Sequence, residues 1–210
     1  MQKIIVSYII IVFSSLTHAA IDPSKLLKVN KENNPSCVEY YNYQGDLYCS
    51  TTKLQANSPL SAQEITNYEK QHLVFDNRFW QAAWGKQTDA ITTIEYVPAG
   101  DDIDQWQELI TSQFIPSATQ QLSPRQYLDL IIANFRQSGL DPKVTIHEQT
   151  PKQIIFEFQI NTPKNLQQDE IQKVTQTDNG LYLLHYVTKK PDMGTENRQK
   201  WLNNIKASRV

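Results

Sequence analysis

Apolar residues recur along this chain with two periods, one near 3.6 and one of 2, and each marks out its own set of elements. The clearest helical stretch is "SPRQYLDLIIANFRQSG", in which Tyr127 or Leu128, Ile131, Ile132 and Phe135 fall on one face. Ser123 stands where a cap belongs, Pro124 at the first helical position and Gly139 just past the end. A closing helix in "GTENRQKWLNNIKAS" would bury Trp201, Leu202 and Ile205. The pattern also predicts a short helix from Ser61, where Glu64 completes a capping box and Ile65, Tyr68 and His72 or Leu73 share a face. Period 2 governs "FWQAAWGKQ", "AITTIEYVP", "KVTIHEQT", "QIIFEFQIN" and "GLYLLHYVTKK", which read as strands.

Two stretches carry a weaker helical signal. From Asp101, the residues Ile103, Trp106, Ile110 and Phe114 recur at intervals of three and four, with Asp101 placed to cap and Asp104 near the positive end of the helix dipole. "LQQDEIQKVTQTD" offers Leu166, Ile171 and Val174 as the apolar face of an amphipathic helix or crossover. Helices mixed with adjacent strands predict an α+β fold: an antiparallel sheet from segments near 80–97, 143–160 and 180–190, covered by helices starting at Asp101, Ser123 and Gly194.

The amino terminus adds a destination. Lys3, an apolar run from Ile4 to Leu16 and the small residues Thr17 and Ala19 have the three-part layout of a secretory signal cut after Ala19. The run is 13 residues long and contains Ser7, whereas a spanning helix needs about 20 apolar residues. The expected organisation is therefore a signal peptide over 1–19, a flexible lead-in with a hairpin and a short helix over 20–74, and an α+β domain over 75–210. Removing the signal takes away one of the 20 basic residues and none of the 22 acidic ones, leaving a net charge of −3. So weak a balance implies neither nucleic acid nor an anionic membrane as partner.

Cys37 and Cys49 bracket "CVEYYNYQGDLYC", two tyrosine-rich runs around Gly45 that read as a β-hairpin. In an exporting compartment the pair is expected to be a structural disulfide across the open end of that hairpin. A short hairpin cannot bury both faces, so some of Tyr40, Tyr41, Tyr43 and Tyr48 are expected to face solvent and to offer a contact surface for a partner.

Several chemistries lack their signatures. The six glycines, from Gly45 to Gly194, are too far apart to cradle a phosphate or build a dinucleotide fingerprint, and no G-x-S-x-G elbow occurs. His147-Glu148 begins like a zinc-protease helix, but Pro151 occupies the position of the second histidine. The aspartates from Asp101 to Asp104 lack the mid-loop glycine and the twelfth-position glutamate of a calcium loop. No catalytic residue, metal ligand or cofactor is therefore expected. Asp76, Glu95, Glu148 and Glu157 are carboxylates that only geometry could pair for acid–base work. His147 and His185 could chelate a metal only by meeting across the sheet.

The segment "IEYVPAGDDIDQWQELITSQF", followed by a helix, strands and a closing Trp-containing helix, resembles a group of small exported bacterial proteins of unassigned function. Over residues 75–205 the order of elements is also similar to the PsbP-like fold, an antiparallel sheet flanked by helices in extrinsic and envelope-associated accessory proteins. The resemblance implies an accessory or binding role and brings no catalytic residue. The leading expectation is an exported, non-enzymatic binding protein of the periplasm or extracellular space. A hydrolase of an envelope polymer and a carrier of an apolar ligand are the alternatives.

Overall fold

In a computed structural model, residues 26–30, 34–43, 46–52, 67–117 and 122–210 are described. They form ten strands: β1 (Leu27–Val29), β2 (Glu39–Tyr43), β3 (Asp46–Ser50), β4 (Trp80–Gln87), β5 (Thr92–Pro98), β6 (Glu108–Pro116), β7 (Lys143–Gln149), β8 (Gln153–Ile160), β9 (Gln168–Thr177) and β10 (Gly180–Thr188). Two helices accompany them, α1 (Pro124–Gln137) and α2 (Thr195–Ala207). All the strands join one antiparallel sheet in the order β1-β3-β2-β4-β5-β6-β10-β9-β8-β7. The expected α+β class and the antiparallel sheet flanked by helices are both present.

Alternation divides the buried side chains between two faces. Along β8, Ile154, Phe156, Phe158 and Ile160 point to α1, where they meet Tyr127, Leu128 and Phe135. Ile155 and Glu157 point the other way, toward α2. Beneath α2, Trp201 stacks on Tyr186 with centroids 4.0 Å apart and meets Trp80 edge-on at 5.5 Å. The segment before β4 completes the cover on this face: Glu69 accepts from Tyr96 and Ser112, and His72 pairs with Arg209 through its backbone. The void left there, lined by Phe75, Ile110, Leu184, Tyr186 and Trp201 among others, measures about 10 Å³, about what one water needs.

Local chemistry explains most of the boundaries. Ser123 Oγ accepts from Gln126 N while the Gln126 side chain accepts from Ser123 N, a complete capping box with Pro124 next in line. At the end of α2, the buried Lys173 donates to the carbonyls of Ile205, Lys206 and Ser208. These are the groups a helix leaves unpaired at its C-terminus. Gly180 opens β10 at φ +150°, and a Cβ there would lie 2.1 Å from the Ile115 carbonyl oxygen.

Two sequence expectations are corrected. The segment after Asp101 is not a helix but a 3-10 turn, Ile103–Gln105, followed by β6. Asp102, not Asp101, takes the capping role, accepting from Asp104 N at 2.9 Å. Ile110 and Phe114 lie four apart, a spacing that shares one side in a helix and in a strand alike. Trp106 is buried as expected, but with Val97, Leu109 and Val187 on the face opposite Ile110. The second correction is β9, read from the sequence as an amphipathic helix. As an interior strand with both faces covered, it hides polar residues whose partners are distant in sequence. Of the helix expected from Ser61, residues 53–66 lie outside the described ones, and Tyr68 to Leu73 are not helical.

The disulfide between Cys37 and Cys49 is formed, with Cα atoms 5.6 Å apart, and ties the entry of β2 to β3. The expected turn at Gly45 lies outside the described residues, as does the expected signal peptide. The hairpin joins the larger sheet where Asn42 pairs with Trp80.

Candidate functional site

The densest ionisable chemistry lies between the sheet and the first turns of α2, in two adjoining groups. In the first, Asp76 accepts from Arg78, from Trp80 Nε1 at 2.9 Å and from Lys200 Nζ at 3.0 Å. Arg78 reaches on to Glu108 at 2.7 Å, and Glu108 also accepts from the Tyr186 hydroxyl. Asn197 of α2 donates to that same hydroxyl. Burial works to raise the Asp76 carboxyl, but the hydrogen bonds from Arg78 and Trp80 overcome it and hold it at about 2.

The second group is centred on Arg198 of α2. Its guanidinium binds Glu157 at 2.8 Å, Asp169 at 3.0 Å and Asp192 at 2.8 Å. Glu157 also takes His147 Nε2 at 2.8 Å, and Asp169 takes Gln159 and the Met193 backbone N–H. Burial pushes Asp169 up to about 6, with Glu157 adding to the rise against the Met193 and Gln159 hydrogen bonds. Burial would raise Glu157 too, yet hydrogen bonds, chiefly from Arg198, bring it below its ordinary value. These carboxylates converge, but Asp169 and Glu157 are 0% and 4% exposed. These two carboxylates lie out of reach of a substrate, and through Arg198 they hold α2 in place.

The opposite face carries a cross-strand row. Trp84 pairs with Glu95, Glu95 with Thr111, Thr111 with His185, and His185 with Gln172. Glu170 holds His185 Nδ1 at 2.8 Å and also accepts from Gln172, while burial raises Glu95 against the pull of His185. At one end of the row Trp84 is 37% exposed beside the exposed Lys86. Helix α1 packs on β8 and β9, well across the sheet from β4.

The residues picked from the sequence are placed differently from one another. Glu95 and Glu157 lie on opposite faces, and Glu148 is engaged by Gln153 and Lys206. His147 and His185 do not meet: β8 and β9 separate their strands, and each binds its own glutamate. Among the described residues, no three His, Cys, Asp or Glu side chains are arranged to hold a metal ion. Of the hairpin tyrosines expected at the surface, Tyr40 and Tyr41 are 3% and 0% exposed and Tyr48 is half-buried. β2 is interior to the sheet, flanked by β3 and β4, and Tyr41 packs edge-on against Phe79 at 6.3 Å, which leaves Tyr48 the most accessible of these three. The Tyr43 side chain lies outside the described ones.

Trp84 was missed as a surface residue because Trp80 and Trp84 are four apart in one strand, a spacing that puts both on the same side. The register shifts between Ala82 and Trp84. This bulge turns Trp80 toward α2 and Trp84 to the other face.

No curated protein and no solved structure matches the chain. A family model does, over residues 68–210, which takes in β4 to β10, both helices and every residue of the two ionisable groups and the row. The chain belongs to that family of bacterial proteins, whose function is unknown.

Proposed function

We propose that this is an exported, non-enzymatic accessory protein that binds another macromolecule of the cell envelope or extracellular space through the sheet face around Trp84. The observation that carries the reading is a large aromatic ring left 37% exposed on a strand of the sheet, beside Lys86 and away from α1. Tryptophan is enriched at contact surfaces because it buries much area at little entropic cost. The buried carboxylates beneath α2 favour binding over catalysis, since Asp76, Glu157 and Asp169 are each bonded to a cation of that helix. The small void beneath α2 leaves no space there for an apolar ligand. Export is supported by the signal-like residues 1–19 and by the oxidised cysteine pair. The PsbP-like order of elements read from the sequence agrees with an accessory role and stands with this proposal.

A photo-crosslinking residue introduced at position 84 of the full chain in the producing cells tests the surface, with position 206 on α2 as control. The reading expects one dominant adduct from position 84 and none from 206. Equal capture at both, or none at 84 with the chain folded, would contradict it.

A further inference from the structure

We propose that Asp169 and Glu157 hold one proton between them beneath α2, and that this proton sets how tightly the helix is fastened to the sheet. The geometry begins with the two oxygens of Asp169. Oδ2 accepts from Arg198 Nη2, Gln159 Nε2 and Met193 N, at 3.0, 3.0 and 2.8 Å. Oδ1 is equally buried and accepts from no described residue. Thr188 stands directly opposite on β10, and its buried hydroxyl makes no bond to Oδ1 either. On the other side, Glu157 of β8 has Oε1 taken by Arg198 Nε and Oε2 by His147 Nε2.

A dry carboxylate oxygen beside a second carboxylate is costly unless a proton lies between them. The neighbours do not supply a substitute. Arg198 is shared among Glu157, Asp169 and Asp192, and Lys143 acts on the exposed Asp192. Beyond Thr188, Glu108 is committed to Arg78. His147, on β7, faces Glu157 and has no bond to Asp169. With the proton in place, one carboxyl of the pair donates to the other, and Arg198 faces one negative charge from the pair. Without it, two adjacent carboxylates compete for one guanidinium, and the first turns of α2 lose part of their anchor.

The direction of the linkage follows from the raised Asp169 carboxyl, at about 6 against an ordinary 3.8. Its contribution is complete below the ordinary value and is lost as pH rises through about 6. Helix α2 should therefore be held more firmly in mild acid than at neutral pH.

The test is a carboxyl carbon NMR titration of the full-length chain, read together with amide protection factors across α2. The Asp169 carboxyl is expected to titrate near pH 6, with protection of α2 falling over the same interval. Asp169→Asn, whose amide can donate to Glu157 permanently, is expected to make that protection independent of pH between about 4 and about 8. An Asp169 midpoint below the ordinary carboxylate value would overturn the proposal. So would a variant that keeps the wild-type pH profile, since Asp169 would then be an ionised partner of Arg198 and nothing more. Should the variant fail to fold, the wild-type titration decides alone.

Discussion

Trp201 and Trp84 are the same residue type with opposite duties, and their substitution separates packing from contact. Trp201 is 1% exposed between Tyr186 and Trp80. Trp201→Ala should destabilise the fold by about 3 to 5 kcal/mol, by loss of buried surface and the cavity left behind. Trp84→Ala should cost clearly less than Trp201→Ala, since 37% of Trp84 is already exposed. Chemical denaturation of both variants checks the order, and equal losses would mean that Trp84 is packed. Asp76 supplies a second prediction at this scale. Its carboxyl is held at about 2 against an ordinary 3.8, so its stabilisation is complete above the ordinary value and is lost as pH falls toward 2. Asp76→Asn should lower the melting temperature most near neutrality, and melting curves taken down to about pH 2 should converge with wild type. A gap that stays constant with pH would show that the charge of Asp76 does not matter.

Helix α1 and strand β9 show what determines whether an element can be read from its own residues. α1 carries all its signals locally: cap, first-turn proline, terminal glycine and an apolar stripe. Ser123→Ala should cost about 0.5 to 2 kcal/mol by removing half of the capping box, measured as a shift in the denaturation midpoint. No change would mean that the box is idle. β9 is the reverse case. Asp169 and Lys173 are buried because Arg198 accompanies the one and the carbonyls at the end of α2 receive the other. Those partners lie about 30 residues along the chain, so no local periodicity reports them. β6 failed for another reason: Ile110 and Phe114 satisfy both periods, and only the alternation of Leu109, Thr111, Gln113 and Ile115 on the other side favours a strand. The candidate surface failed similarly, since the bulge that separates Trp80 from Trp84 has no signature in "WQAAWGKQ". The sequence did show the fold class, the capping of α1 and the cysteine bridge, all of which rest on neighbours in sequence.

For the molecule as a whole, the sheet is asymmetric in how it is held together. The end from β6 to β7 is clasped by α1 and α2, whereas the β1–β3 end is stapled by Cys37–Cys49. Reduction of that bridge should cost about 3 kcal/mol on the chain-entropy account, read as a lower melting temperature, and native protein with free thiols would contradict the disulfide. On the proposed function, the sheet presents the face around Trp84 to a macromolecular partner. The most direct test is the dissociation constant of the partner captured from position 84, measured with the purified full chain by titration calorimetry for wild type and Trp84→Ala. Trp84→Ala should weaken binding at least about tenfold, equivalent to about 1.4 kcal/mol, while the variant stays folded. Wild-type affinity in Trp84→Ala would contradict it.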